Sequence, residues 1–159
     1  MNSQVSVLFV CLGNICRSPL AEALFLKHIN DLQVSELFNV DSCGTGNWHA
    51  GELADIRTRN NASVNGINMT HRARQITLND FDNFHHIFVM DENNLRDVKQ
   101  IHSNHPCIQL ITENTQYKGK IIPDPYYGNE NDFKYVFNLL NEVTLQLASQ
   151  LIKQYQLKQ

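Results

Sequence analysis

The sequence has no apolar run approaching the roughly 18 residues that a membrane span requires. Its opening residues, Met1-Asn2-Ser3-Gln4, carry no basic charge, and the apolar stretch behind them is too short for a signal peptide. A cytoplasmic location is therefore expected. Positive charge is also in short supply: 13 Lys and Arg against 16 Asp and Glu give a net charge of −3 and a pI near 6.1. That balance points neither to nucleic acid nor to an acidic membrane surface as a partner. Four cysteines are present, Cys11, Cys16, Cys43 and Cys107, but none forms a C-x-x-C pair, which excludes a zinc ribbon and a thioredoxin motif. A reducing compartment and a core-building length argue against structural disulfides. Gly44-x-Gly46 lacks a third glycine, with His49 standing in its place, and it does not follow the first strand, so the dinucleotide fingerprint fails. Repeats and linkers are missing as well. With 159 residues, 42% hydrophobic and 18% charged, the chain reads as one soluble domain, 1–159.

What the sequence does contain is concentrated near its start. Val5-Ser6-Val7-Leu8-Phe9-Val10 has the β-branched and aromatic content of a buried strand. Leu20-Ala21-Glu22-Ala23-Leu24-Phe25 is made of good helix formers, with Ser18 read as its N-cap and Pro19 as its first residue. Between them, Cys11-Leu12-Gly13-Asn14-Ile15-Cys16-Arg17 forms a short loop at a helix N-terminus. Such a site binds anions, because the first amides of the helix have no intrahelical acceptor. Gly13 allows a tight turn with inward amides. A helix N-terminus and a nearby guanidinium favour the nucleophilic thiolate form of Cys11. The Arg17 fork and the loop amides of residues 12 to 17 suit a tetrahedral oxyanion.

Further along, strand and helix alternate. A helix to about Gln33 places Ala21, Leu24, Phe25, His28, Ile29 and Leu32 on one face, His28 being a packed side chain and not a ligand. Leu37–Ser42 and His85–Met90 read as strands, and Cys107–Ile111 as a short fourth. Adjacent His85 and His86 point to opposite faces and cannot share a metal. Ala54–Asn65 reads as a helix closed by Gly66, and Asp91 caps another running to His102 with Leu95, Val98 and Ile101 inward. Phe133, Val136, Phe137, Leu140, Val143, Leu147, Leu151 and Ile152 mark a long C-terminal amphipathic helix. The expected fold class is α/β, a four-stranded parallel sheet with helices on both faces, ligands binding at the carboxyl ends of the strands.

A second motif lies between the fourth strand and the last helix. Pro123 and Pro125 flank Asp124 and fix the backbone on both sides, and Tyr126-Tyr127-Gly128 follows.

Together, Val10-Cys11-Leu12-Gly13-Asn14-Ile15-Cys16-Arg17-Ser18-Pro19 and Asp124-Pro125-Tyr126-Tyr127-Gly128 resemble the two motifs of the low-molecular-weight protein tyrosine phosphatases. The resemblance runs from about residue 5 to residue 155. It implies a flavodoxin-like strand order of 2-1-3-4 and a metal-free, cofactor-free hydrolysis. In that reading Cys11 attacks phosphorus, Arg17 and the loop amides of Leu12, Gly13, Asn14, Ile15 and Cys16 hold the equatorial oxygens, and Asp124 serves as general acid and then base. Ser18 would bond the sulfur and Asn14 would hold the loop in shape. Ser42-x-Gly44-Thr45 would pack near the loop, and His71 would brace it from behind, while Arg72 and Arg74 are structural or surface charges. Trp48, Tyr126 and Tyr127, with Leu12 and Ile15, would line a slot deep enough for phosphotyrosine and too deep for phosphoserine. Cys16 is expected to form a reversible disulfide with Cys11 under peroxide.

The resemblance also implies a phosphotyrosine-containing protein substrate, with tyrosine kinases among the candidates, and a monomer as the default state. An arsenate reductase family resembles the chain in fold and loop, but its chemistry needs a cysteine pair near residues 80–90, and none stands between Cys43 and Cys107. An inactive phosphate-binding module would be expected to have lost Cys11 or Asp124, and a flavodoxin-type carrier would want Ser/Thr and Gly in the loop.

Overall fold

The computed structural model describes residues 3–158. Met1, Asn2 and Gln159, which belong to the expected 1–159 domain, lie outside the described residues. Four parallel strands, β1 (Val5–Cys11), β2 (Phe38–Gly44), β3 (His86–Val89) and β4 (Ile108–Leu110), form one sheet in the order β2-β1-β3-β4. The helices are α1 (Arg17–Asp31), α2 (Ile56–Val64), α3 (Leu78–Asn83), α4 (Glu92–Ile101) and α5 (Glu130–Gln154), with a short 3₁₀ turn at Ser35–Leu37.

β1 is central and buried along its whole length, as a run without polar alternation requires. Its side chains divide between two cores. Val5, Val7, Phe9 and Cys11 face the layer of α1 and α5, whereas Leu8 and Val10 face Ile87, Val89, Phe81, Phe84 and Val98 on the other side. Phe9 has no exposed surface and lies between Phe25, ring centroids 5.6 Å apart, and Phe88 at 6.0 Å. Each side chain of this size stabilises the fold by about 1.5–3 kcal/mol through burial. The chain leaves β1 for β2 on one side and returns to β3 on the other. The carboxyl end of β1, where Cys11 sits, is thus the switch point at which this architecture opens a crevice.

Several local readings need correction. Ser18 is not the N-cap of α1: Cys16 holds that position, without a side-chain cap, and Arg17, Ser18 and Pro19 are already helical. The Ser18 hydroxyl has been drawn to Cys11 instead, and proline is tolerated in the first turn because its missing N–H would be unpaired anyway. α1 ends at Asp31, and Leu32, beyond its last turn, is exposed. α2 begins at Ile56 because Asp55 accepts the Arg57 amide as N-cap. Ile101, the last residue of α4, is exposed, while Val98 is buried. Cys107 and Ile111 fall outside β4. α3 is an additional helix, and Thr77 and Asp80 close its start with a reciprocal capping box. His28 is buried with Nε2 3.1 Å from the Asn141 carbonyl. His85 and His86 take separate partners: His85 Nδ1 accepts the Ser6 amide at 2.9 Å, and His86 Nε2 lies 2.7 Å from the Tyr155 hydroxyl.

Candidate active site

The loop after β1 is held by polar side chains beneath it. Asn14 adopts φ 57°, a left-handed conformation that asparagine tolerates better than most residues. Its side chain uses all four of its hydrogen-bonding positions. Nδ2 donates to Ser18 Oγ at 2.7 Å and to Ser42 Oγ at 3.0 Å, and Oδ1 accepts the Arg74 amide at 3.0 Å and lies 2.8 Å from His71 Nε2. Ser42 in turn donates to Glu22 at 2.6 Å. Burial raises the Glu22 carboxyl to about 7, against the pull of Ser42 and Arg74, and burial likewise lowers the His71 imidazole. Gly44 packs directly beneath the loop: a Cβ there would stand 2.7 Å from the Leu12 carbonyl oxygen. Thr45 and Gly46 donate backbone hydrogen bonds to the carbonyls of Cys11 and Leu12 at 2.9 Å.

Within this cradle Cys11 is buried, its sulfur 3.0 Å from Ser18 Oγ and accepting the Asn14 amide at 3.3 Å. Arg17 is buried alongside. Its Nη1 donates to Asp91 at 2.6 Å and to the Ile122 carbonyl at 2.9 Å, and its Nη2 lies 3.7 Å from Asp124 Oδ2. Burial works against the guanidinium charge, but Cys11, Asp91 and Asp124 more than offset it and hold the group above its ordinary value. Asp124 Oδ1 accepts the Tyr126 amide at 3.1 Å, a local turn that sets the carboxyl at the cleft edge. Cys16 stays a thiol, since burial, reinforced by Asp55, pushes it up to about 12. The four cysteines are free.

Cys11 and Arg17 form the floor of a cleft of about 350 Å³. Leu12, Gly13, Ile15, Cys16, Trp48, Asp124, Tyr126 and Tyr127 also line it. Trp48 and Tyr127 are exposed at its rim, and the rings of Tyr126 and Tyr127 meet edge to face at 4.9 Å. Ser42 and His71 lie behind the loop and not in the cleft. Arg74 pairs with Asp41 and Asp80, and Arg72 donates to the Gly51 carbonyl.

Three residues of the site carry little signal in the sequence: Asp91 has the pattern of a helix cap, Glu22 that of a helix former, and His49 stands only where a third glycine is missing. His49 lines the cleft beside Tyr126, its Nδ1 held 2.7 Å from Glu52. The spacing of His49 and Glu52 was the one local signal available for it. Among the described residues one group, Glu22, Asp41 and His71, brings three metal-ligating atoms within 4.8 Å of one another, and it lies outside the cleft.

Fold and site together define a class: an α/β domain with a cysteine set in an anion-binding loop at the switch point of a parallel sheet. The family model described as low molecular weight phosphotyrosine protein phosphatase matches residues 6–157. A protein of that name from Homo sapiens is 47% identical over 136 residues, spanning 83% of this chain and 86% of the relative. One from Saccharomyces cerevisiae is 37% identical over 140 residues, spanning 84% and 87%. A crystal structure of a protein tyrosine phosphatase from Entamoeba histolytica, with Hepes in its active site, superimposes with a TM-score of 0.90 at 35% identity, covering 96% of this chain and 99% of that one. The chain belongs to the low molecular weight phosphotyrosine protein phosphatase family.

Proposed function

We propose that the chain hydrolyses phosphotyrosine, and aryl phosphates generally, by way of a phosphocysteine intermediate. The observation that carries this reading is the convergence of Cys11, Arg17 and Asp124 on one cleft from two distant segments. Cys11 Sγ attacks phosphorus as the P–O bond to the aryl group breaks, and Asp124 gives its proton to the departing oxygen. Asp124 then takes a proton from water, whose oxygen attacks phosphorus and breaks the S–P bond, releasing phosphate. Arg17 and the loop amides stabilise the charge on the three equatorial oxygens throughout. Ser18 supports sulfur as nucleophile and as leaving group. The aromatic rim of Trp48, Tyr126 and Tyr127 suits a phenyl ring, and a floor recessed behind it favours phosphotyrosine over the shorter phosphoserine.

The proposed substrate is a phosphotyrosine-bearing protein, with a tyrosine kinase one candidate, acted on by a monomer in the cytoplasm. Among the described residues no helix is long and apolar enough to cross a membrane. Protection of Cys11 by a disulfide to Cys16 belongs to the same proposal: peroxide oxidises Cys11 to a sulfenic acid, and the Cys16 thiol displaces water from it.

The test is hydrolysis of p-nitrophenyl phosphate in EDTA. Activity is expected to survive chelation, to fall at least about a thousandfold in Cys11→Ser, and to fall about 10²–10⁴-fold in Asp124→Ala. A fully active Cys11→Ser, or wild-type activity abolished by EDTA, would overturn the mechanism. A phosphoserine peptide cleaved as well as a phosphotyrosine one would overturn the substrate class.

A further inference from the structure

We propose that His49 is a specificity-determining residue of the cleft, its Nε2 accepting a main-chain N–H of the substrate peptide beside the phosphotyrosine. The inference rests on the phosphotyrosine reading above and adds a contact that small aryl phosphates lack. His49 lines the cleft with Cys11 and Arg17, yet the hydrolysis gives it no part. The backbone that carries it is preorganised. Residues 49–52 form a tight turn in which the Glu52 amide donates to the His49 carbonyl at 2.9 Å. Gly51 takes a left-handed φ of 88° at the third position, a conformation that glycine adopts freely. The Gly51 amide donates to the Ala73 carbonyl and the Ala73 amide to the Glu52 carbonyl, both at 2.8 Å, and the adjacent Arg74 amide donates to Asn14. The turn that carries His49 is thus tied through residues 73 and 74 to the loop that carries Cys11.

The ring is seated as firmly. Its Cδ2–Nε2 edge lies over Gly13, where a Cβ would stand 3.2 Å from Cδ2 and 4.0 Å from Nε2, and the Tyr126 ring lies 6.3 Å away between centroids. Trp48, next along the rim, is seated in the same way: a Cβ at Gly46 would run into its indole. On the opposite edge of the His49 ring, Nδ1 stands 2.7 Å from Glu52 Oε2. An ionised carboxylate can only accept, so Nδ1 carries hydrogen, and in the neutral ring the lone pair is on Nε2. Among the described residues no group bonds Nε2. The cleft therefore presents a fixed acceptor that the protein itself leaves unused. Its complement is an N–H donor, and the neighbouring Glu52 carboxylate repels acidic side chains that would compete for the same place. Every peptide that lays its phosphotyrosine ring in the cleft brings two such donors at a fixed distance from that ring: the amide of the phosphotyrosine and the amide of the residue after it.

The test uses phosphotyrosine peptides in which an ester replaces one of these two amides, removing the N–H without adding bulk. At a pH of about 7.5, where an ordinary imidazole is neutral, one of the two replacements is expected to cost the unaltered chain about fivefold in kcat/KM. In His49→Ala the same replacement is expected to cost less than about twofold. An equal cost in both chains, or no cost at either position in the unaltered chain, would overturn the contact. A second measurement does not depend on turnover. In a Cys11→Ser chain, which holds the phosphopeptide uncleaved, nitrogen NMR of isotope-labelled histidine is expected to show hydrogen on His49 Nδ1, and an Nε2 signal that moves with the all-amide peptide and not with the ester. Hydrogen on Nε2 in the complex overturns the assignment. Failure of the underlying reading looks different: a chain that cleaves p-nitrophenyl phosphate but not the all-amide peptide loses the phosphotyrosine reading itself, and this contact with it, before any ester is compared.

Discussion

Arg17 Nη1 lies 2.6 Å from one oxygen of Asp91, while the other oxygen of Asp91 accepts the Asn94 amide at 2.8 Å and caps α4. One carboxylate thus fixes the guanidinium against the carboxyl end of β3 and starts the next helix. Asp91→Asn separates the two duties, because asparagine caps as well as aspartate but carries no charge. Charge-assisted hydrogen bonds are about twice as strong as neutral ones. The variant should keep its melting temperature within a few degrees, yet lose about tenfold or more in kcat/KM for p-nitrophenyl phosphate. Competitive inhibition by inorganic phosphate should weaken in parallel. Unchanged kinetics would mean that the Ile122 carbonyl alone orients Arg17.

Asn14 combines a left-handed backbone with four side-chain hydrogen bonds, so two substitutions resolve its contributions. Asn14→Gly loses the bonds but not the backbone freedom. Asn14→Ala loses both, since a Cβ in that conformation costs about 1–2 kcal/mol. Urea unfolding should rank wild type above Asn14→Gly, and Asn14→Gly above Asn14→Ala by about that amount. Both variants should lose activity on aryl phosphate, because the amide of residue 14 points at Cys11 sulfur only while the loop keeps its shape. Equal stabilities of the glycine and alanine variants would rule out the backbone contribution.

Much of this was legible because it is local. The Cys11–Arg17 loop lies between a strand and a helix that its own neighbours specify, and Pro123 and Pro125 announce a rigid Asp124. The sheet follows from the alternation of apolar runs, and its strand order is the one that the resemblance implied. What escaped depends on approach through space. Ser18 before Pro19 has the pattern of a helix cap, but a sulfur seven residues earlier competes for its hydroxyl. Glu22 has the sequence context of a surface charge, yet β2 brings Ser42 against it. Asp91 carries its cap in the sequence and its ion pair only in the fold. α3 is six residues long, too short for a period, so only Thr77 and Asp80 could have announced it.

Three histidines, His28, His71 and His86, make stability depend on pH in the same sense. Burial lowers all three imidazoles below their ordinary 6.5, aided at His86 by the charges of His85 and His105 and opposed at His28 by the Asn141 carbonyl. Between the folded values and about 6.5 the unfolded chain binds more protons, so their contribution to stability is present above that range and is lost as pH falls through it. Urea midpoints at pH 7.5 and 5.5 should show that His28→Gln, which can still donate to Asn141, is less sensitive to acid than wild type. An identical acid sensitivity would mean that His28 does not resist protonation in the fold.

Gly44 tests whether the loop is positioned by the strand beside it. It pairs with Cys11 in β1 and with Gln75 on its other side, which fixes its backbone in both directions. A methyl group there would stand 2.7 Å from Leu12 O and 3.1 Å from both Asn14 N and Gly13 C, all backbone atoms of the loop. No side chain can rotate away to relieve that contact, so the loop itself must shift. Displacements of about 1 Å in a positioned site cost about a hundredfold in rate. Gly44→Ala should therefore remain folded by circular dichroism while kcat for aryl phosphate falls by about that factor. Gly51→Ala serves as the control: its φ of +88° makes alanine strained, but a Cβ there meets nothing within 4 Å. That variant should lose stability and keep its kcat. The opposite pattern, an active Gly44→Ala and a silent Gly51→Ala, would show that the loop holds its shape independently of β2.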